Sequence, residues 1–258
     1  MWLDLSQVDR DLTTDIIGRQ IVYLSSTHST MDVARRQAEE GAQEGTVVVA
    51  EEQTSGRGRF GRTWVSPAGK NIYVTLILRP DAHRLRSLSI VAPTAVCLAV
   101  EREADLSPQI KWPNDVLVNG RKLSGVLIEN EFSGALVRYS LVGIGVNLNF
   151  DIAESSEIAA IATSLRRELG RDVSRESFLA SLLDQFEELY REALRGDAVL
   201  QAWRSRLETL GRQVTVTFGG QTLHGFAEDV DSHGNLILRS PDGSRHTVEA
   251  GEVTLRAP

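Results

Sequence analysis

Three arginines and three glycines share one short stretch of the sequence, residues 56–62. Arg57, Arg59 and Arg62 have no acidic residue between them, so their charges are available to an anion from outside the stretch. Exposed N–H groups beside flexible glycines form concave anion sites, and arginine adds charge-assisted hydrogen bonds to phosphate or carboxylate. The stretch predicts a loop that closes over a phosphate-bearing ligand, with a solvated basic hairpin loop as the alternative.

The spacing of the three glycines also matches the dinucleotide-binding fingerprint, which requires a strand before it and a helix after it. A strand is predicted before it, at residues 46–52, but the β-branched run at residues 72–78 predicts a second strand after it. No kinase catalytic motifs and no phosphate-binding P-loop sequence occur in the chain. A dinucleotide-binding fold, a kinase and a P-loop enzyme are therefore not favoured.

Two lysines flank a predicted hairpin in the middle of the chain. Asn119-Gly120 is a strong hairpin signal, and the paired strands would bring Lys111, Asp115 and Lys122 near one another. Asp115 could hold Mg²⁺ through water, and Lys122 could stabilise negative charge on a group being transferred. The alternative is a pair of edge lysines that oppose aggregation.

Polar residues also stand at the ends of predicted elements. After a strand at residues 21–24, Ser29 begins a helix whose free N–H groups favour polar or anionic ligand atoms, unless Ser29 only caps the helix. An amide at Gln53 could bind a planar polar group or be an ordinary loop residue. Trp64 could stack on a flat ring or fill the core, and Asn147 needs a partner in a buried strand.

The remaining elements are read from periodicity. Residues 87–103 predict a buried helix in which Pro93 implies a kink or a later start. Helices are also predicted at residues 156–169, 174–195 and 197–210. From Arg212 onward, short alternating strands predict a small β-barrel of about five strands. We therefore predict two domains, residues 1–210 and residues 211–258.

Composition limits the classes of function. The 258 residues carry a formal net charge of −7, which argues against general nucleic-acid binding. No apolar run reaches about 18 residues, so no membrane span is expected. Residues 1–15 are acidic and do not resemble a signal peptide, and the single cysteine, Cys97, is expected in the core. These features predict a cytoplasmic protein.

Taken together, four segments resemble the biotin protein ligases. They are STMD at 29–32, EEQTSGRGRFGRTWVSP at 51–67, KWPNDVLVNGRKLSG at 111–125 and GIGVN at 143–147. The resemblance covers about residues 22–257. It implies an α+β fold in which a mixed, class II synthetase-like sheet backed by helices precedes a small SH3-like β-barrel.

The resemblance also implies a two-step reaction. Biotin and MgATP would give biotinyl-5′-AMP and pyrophosphate, and the biotinyl group would then pass to a lysine of a biotin carboxyl carrier protein. Adenylation requires two anions to be held together and shielded from water, which an ordered arginine-rich loop can do. A homodimer is expected because relatives often pair through the central sheet.

Site residues follow from the same resemblance. Lys122 and Arg59 would be catalytic. Asp115 would hold Mg²⁺. The residues implied to bind biotin are Ser29, Thr30, Met31, Gln53, Gly56, Arg57, Gly58, Arg59, Lys122, Gly125 and Gly143. The residues implied to bind ATP or the adenylate are Arg57, Arg59, Trp64, Lys111, Asn114, Lys122 and Asn147.

The chain departs from the family's pattern in two respects, and two alternative functions are considered. Many relatives have asparagine where this chain has Met31, so a polar role there is in doubt. The motifs begin by residue 29, so we expect no N-terminal DNA-binding domain and no operator binding. A lipoate or octanoate ligase is disfavoured by the arginine loop and the barrel. A non-catalytic RNA-binding module is disfavoured by the net charge.

Overall fold

The computed structural model describes residues 2–218, 220–249 and 251–255. The strands of its larger sheet are β1 (Ile21–Leu24), β2 (Val47–Ala50), β3 (Ile72–Leu78), β4 (Gln109–Lys111), β5 (Asp115–Val118), β6 (Arg121–Ser133) and β7 (Leu136–Val146). Their spatial order is β1-β2-β3-β7-β6-β5-β4. β1 and β2 are parallel and the other neighbours are antiparallel, so the sheet is mixed as predicted.

The helices cover both faces of this sheet. They are α1 (Leu5–Asp11), α2 (Thr30–Glu39), α3 (Ala82–Ala104), α4 (Leu165–Leu169), α5 (Arg175–Glu192) and α6 (Ala198–Arg204). Successive residues of a strand point to opposite faces. In β2, Val47 and Val49 therefore join the main core beside α3 and α5, whereas Val48 packs with Met31 and Ala34 of α2. The site described below lies on the α2 face.

The helix around Pro93 begins earlier than predicted. Asp81 caps α3, because its carboxylate accepts hydrogen bonds from the backbone N–H groups of His83 and Arg84. Pro93 lies inside the helix, so a later start is wrong; the polar, exposed first turns hid the true start from an apolar pattern. Cys97 is buried as predicted, and burial raises the pKa of its thiol.

Two other predicted helices are shorter in the structure. Of residues 156–169, only α4 is helical, and the preceding turn pairs with β6: Lys122 N–H donates to the Ile161 carbonyl at 2.9 Å. Of residues 197–210, only α6 is helical. The chain then runs beside β4, where Ile110 N–H donates to the Arg206 carbonyl at 2.7 Å. Both segments satisfy strand backbone groups instead of extending a helix.

A second sheet follows. Its strands are β8 (Gln213–Phe218), β9 (Gln221–Val230), β10 (Leu236–Arg239), β11 (Arg245–Val248) and β12 (Glu252–Leu255). The order β11-β10-β9-β8-β12 is antiparallel throughout, and no pairing among the described residues closes it. The predicted five strands and the SH3-like class are confirmed.

The two sheets share one apolar core. Val214 and Leu236 of the small sheet belong to the same buried cluster as Val142 of the large one. The Trp112 ring N–H donates to the Gly234 carbonyl at 2.9 Å across the junction. The boundary at residue 210 therefore remains a prediction. Within the described part of the chain, no helix is both long and apolar enough to cross a membrane.

A buried carboxylate fixes the strand end that leads into the site. Glu51 accepts hydrogen bonds from Leu3 N–H at 2.6 Å and from the Tyr23 hydroxyl at 2.6 Å, and it pairs with Arg175 at 2.7 Å. Burial, followed by the bond to Glu51, raises the pKa of Tyr23 to about 12. These contacts tie the N-terminal segment and α5 to the residue two positions before Gln53.

Candidate active site

One row of paired residues crosses the large sheet and forms the floor of the site. Register joins Tyr73 to Gly145, Gly145 to Gly125, Gly125 to Asp115 and Asp115 to Lys111. All five lie on the α2 face of the sheet. Residues two positions apart in a strand share a face, and Thr75 and Gly143, two positions from Tyr73 and Gly145, lie on that face. Two adjacent glycines therefore leave an open strip in the middle of the row.

Trp64 occupies part of that strip. A Cβ atom at Gly145 would lie 2.5 Å from the Trp64 ring, and one at Gly125 would lie 3.2 Å from it. Both glycines are therefore required for the indole to approach the sheet. Trp64 sits against the floor of the site, between the sheet and the arginine loop, and its role at the nucleotide stays a prediction.

A directional chain of hydrogen bonds lies at the α2 end. The Thr75 hydroxyl donates to Thr30 Oγ1 at 2.8 Å, and Thr30 donates to Gln53 Oε1 through its hydroxyl at 3.1 Å and its N–H at 2.9 Å. Gln53 Nε2 donates to Ser66 Oγ at 3.0 Å, and Ser66 donates to the Trp64 carbonyl at 2.9 Å. The chain fixes the position of the Gln53 amide.

The start of α2 adds an apolar wall. Ser29 caps the helix by accepting a hydrogen bond from Met31 N–H, and it also lines the cavity, so its predicted role toward a ligand stays a prediction. A Cβ atom at Gly143 would lie 2.7 Å from Met31 Sδ. Gly143 thus allows Met31 to pack on the sheet. Met31 presents an apolar thioether at the position where an asparagine would present a polar amide.

Lys122 lines the cavity. Its Nζ is 2.6 Å from Asp115 Oδ1 and 5.5 Å from the centroid of the Trp64 ring. A Cβ atom at Gly125 would lie 3.2 Å from Lys122 Cε, so this glycine also admits the lysine side chain. The hairpin therefore brings Lys122 and Asp115 together as predicted.

Arg59 reaches from the loop into the cavity. It donates to Asn114 Oδ1 at 2.9 Å, and Asn114 Nδ2 donates to the Val126 carbonyl at 2.7 Å. Its guanidinium lies 4.9 Å from the centroid of the Phe60 ring. Desolvation lowers the pKa of Arg59 from its usual value, although the group remains a cation at neutral pH.

The two outer arginines of the loop are held by carboxylates from other elements. Arg57 is 2.7 Å from Asp32 on α2 and 3.7 Å from Glu129 on β6. Arg62 donates to both oxygens of Glu252 on β12 at 2.6 Å. The loop is thus attached at one side to the large sheet and at the other to the small one.

These groups surround a cavity of about 550 Å³. The predicted site residues that line it are Ser29, Thr30, Met31, Gln53, Arg57, Gly58, Arg59, Trp64, Lys111, Asn114, Asp115, Lys122, Gly125 and Gly143. Two do not line it. Gly56 lines a neighbouring pocket formed by the same loop, and a Cβ atom there would meet the Trp64 carbonyl at 2.4 Å. Asn147 is buried, and its amide donates to the Thr163 carbonyl at 3.1 Å. Its predicted contact with ATP gains no support from this position.

Metal ligands are sparse in the site. Among the described residues, no group of three or more His, Cys, Asp or Glu side chains could hold an ion. Asp115 lies on the cavity and already pairs with Lys122. It fits as a single carboxylate toward an ion whose other oxygen ligands arrive with the nucleotide phosphates and water.

Sequence reasoning missed several residues that hold the site together. Ser66 and Thr75 complete the Gln53 chain, and Asp32, Glu129 and Glu252 hold the loop arginines. No short-range signal marks the three acids, because each belongs to an element distant in sequence. The alternation of strand β3 could have placed Thr75 on the site face.

The chain matches two protein-family models. Residues 23–147 match the Biotin/lipoate A/B protein ligase family, and residues 209–256 match the Biotin protein ligase C terminal domain. The first match defines a class of acyl-transferring ligases, and the second model is specific to one branch of it.

Similar proteins narrow the class. The chain is 40% identical over 216 residues to the biotin--[acetyl-CoA-carboxylase] ligase of Paracoccus denitrificans, covering 80% of this chain and 88% of that one. It is 35% identical over 260 residues to the Mycobacterium tuberculosis protein of the same name, covering 95% and 94%. The biotin protein ligase of Aquifex aeolicus, solved in complex with biotin and ATP, superposes with a TM-score of 0.78 at 28% identity, covering 93% and 100%. The chain belongs to the biotin protein ligase family.

Proposed function

We propose that this protein activates biotin with MgATP to biotinyl-5′-AMP and transfers the biotinyl group to a lysine of a biotin carboxyl carrier protein. The observation that carries the proposal is the position of Lys122. It shares one cavity with an amide-and-hydroxyl end at Gln53 and an arginine loop that contains Arg59. A planar polar ring at the first end and phosphates at the second would meet at this lysine.

The chemistry follows from charge. In the first step a biotin carboxylate oxygen bonds to the α-phosphorus and pyrophosphate leaves with the electron pair. Lys122 and Arg59 stabilise the negative charge that gathers at the α-phosphate. In the second step the lysine nitrogen bonds to the biotinyl carbonyl carbon, AMP leaves with the electron pair, and the amine proton passes to solvent. Positioning and electrostatics therefore carry both steps.

The other site roles belong to the same proposal. Thr30 and Gln53 bind the ureido ring with polar atoms, and Met31 packs against it. Arg57 and Arg59 close over the adenylate and keep water away. Asp115 takes part in holding the Mg²⁺ that arrives with ATP. We also propose a homodimer and a boundary near residue 210, which sedimentation and limited proteolysis would test.

The test is biotin-dependent exchange of pyrophosphate into ATP by the purified protein with Mg²⁺, run in parallel with lipoate and octanoate. Exchange with biotin alone is expected. Exchange with lipoate or octanoate instead would keep the fold and overturn the substrate. If the folded protein catalyses exchange with none of the three acids, the proposed adenylation is wrong and the RNA-binding alternative becomes the better one.

A further inference from the structure

Glu208 lies on the cavity for a reason that follows from strand geometry. The segment after α6 runs parallel to β4, with Leu207 opposite Ile110, and Glu208 N–H donates to the Ile110 carbonyl at 2.9 Å. Leu207 and Ile110 both face the apolar core. The next residues, Glu208 and Lys111, therefore face the opposite side, and both line the cavity.

One oxygen of this carboxylate lacks a partner. The Glu208 side chain is only 8% exposed, and Oε1 pairs with Arg212 at 3.2 Å. Oε2 is buried and has no hydrogen-bond partner among the described residues. A buried carboxylate oxygen gains free energy from a hydrogen-bond donor, most of all from a cationic one. The Glu208 side chain lines the cavity, so a turn of its carboxylate would bring this oxygen to a donor that enters there.

The transfer step supplies a cationic donor. A lysine side chain in solution is an ammonium ion, and it must reach a carbonyl carbon beside two cations, Lys122 and Arg59. Of the other acids that line the cavity, Asp115 is engaged by Lys122 and Glu252 by Arg62. Within the part of the chain that the structure describes, Glu208 is the acid lining the cavity whose second oxygen is buried and has no hydrogen-bond partner.

We propose that Glu208 receives the ε-ammonium group of the acceptor lysine as it enters the cavity, an inference that rests on the proposed function. Glu208 acts as a specificity residue for the second step. It lowers the electrostatic cost of bringing an ammonium ion past Lys122, and its negative charge repels rather than binds nucleotide phosphates. The first step does not use it.

The experiment measures the two steps separately in Glu208→Gln. Biotin-dependent pyrophosphate exchange should stay within about twofold of the unaltered protein, while KM for an apo biotin carboxyl carrier domain should rise about tenfold with a smaller change in kcat. Glu208→Asp keeps the charge and should recover most of the lost affinity. In the unaltered protein, salt should raise KM for the carrier and leave exchange nearly unchanged.

Two matched variants separate charge at the cavity from other effects. Arg212→Gln removes the ion pair but keeps Glu208, and Glu188→Gln removes an exposed carboxylate from the opposite side of the sheet. Arg212→Gln should leave KM for the carrier unchanged or lower it, because it removes a competing cation, and Glu188→Gln should leave KM unchanged. An unchanged KM in Glu208→Gln, or equal losses in exchange and transfer, would overturn the inference. No biotin-dependent exchange in the unaltered protein would instead reject the proposed function, and the inference with it.

Should Glu208→Gln fail to fold, the salt titration of the unaltered protein decides alone. A KM for the carrier that does not respond to salt overturns the inference. A KM that rises while exchange holds supports it, because the long-range attraction between the approaching ammonium group and the Glu208 carboxylate weakens with screening.

Discussion

The two ends of the cavity are built in different ways. At the Gln53 end, neutral groups form a continuous chain of hydrogen bonds, and Thr30 and Thr75 in it are buried. At the loop end, charged groups form exposed ion pairs, with Arg57 41% and Arg62 65% exposed. The first end is completed by its own side chains, whereas the second depends on carboxylates from α2 and β12.

This difference teaches which end must rearrange when ligands bind. A buried chain of satisfied hydrogen bonds is rigid, because breaking one link leaves a donor or acceptor unpaired. Exposed ion pairs contribute only about 0–1 kcal/mol each, so a phosphate can replace Asp32 as the partner of Arg57 at little cost. The α2 end is therefore a preformed subsite, and the loop is the part that adapts.

Lys122→Ala should have the largest effect, because it removes the cation where the two ends meet. Loss of one group that stabilises transition-state charge lowers a rate by about 10²–10³-fold. We expect a loss of this size in biotin-dependent pyrophosphate exchange with the thermal unfolding midpoint nearly unchanged. In the double variant, Asp115→Asn also removes the carboxylate that Lys122→Ala leaves unpaired. If exchange is restored in the double variant, Lys122 serves only to neutralise Asp115.

Gln53→Ala should break the preformed end selectively. It leaves Thr30 N–H and Ser66 Oγ without their present partner and removes the amide from the cavity. We expect KM for biotin to rise about tenfold or more, with KM for ATP nearly constant. Arg57→Gln in the loop is the matched contrast, with its main effect on KM for ATP. Equal effects of both changes on both substrates would contradict the distinction between the ends.

Gly145→Ala should lower the stability of the protein and so test the contrast between the two ends of the cavity. The new Cβ would meet the Trp64 ring at 2.5 Å, so the indole must leave the strip between the sheet and the loop. Overpacking of this kind destabilises by about 1–3 kcal/mol, which denaturant unfolding can measure. Gly58→Ala is the control for stability, because its Cβ would meet nothing closer than 3.4 Å. A larger stability loss in Gly58→Ala would show that the loop is the rigid part.

The sequence could predict the parts of the site that local patterns encode. The Asn119-Gly120 turn sets the hairpin that pairs Asp115 with Lys122, and strand alternation places Gly143 and Gly145 on one face. The α+β class and the five-stranded second sheet likewise follow from alternation and turn residues. These elements are short in range, so their residues carry the signal themselves.

The rest depends on contacts that no local pattern contains. Arg62 meets Glu252 across 190 positions, and Arg57 meets Asp32 across 25. Residues 156–163 form turns instead of the predicted helix. Their backbone groups bond to β6, and this tertiary contact overrides helix propensity. The partner of Asn147 could not be predicted from the sequence, because a buried amide can form hydrogen bonds with a backbone group or with a ligand equally well.

Glu252→Gln should have the smallest effect, confined to the adaptable end. It weakens the attachment of the loop to β12, where Arg62 now bonds both carboxylate oxygens. Because the pair is exposed, we expect release of biotinyl-5′-AMP in the absence of carrier to rise only about two- to fivefold, with KM for biotin unchanged. Glu228→Gln is the matched control, since it breaks a comparable exposed pair with Arg245 in the same small sheet. Equal release from the two variants would mean that loss of any ion pair in the small sheet loosens the loop. Faster release from Glu252→Gln alone would mean that the small sheet helps to hold the loop over the adenylate, which gives this second sheet a part in the first step of the reaction.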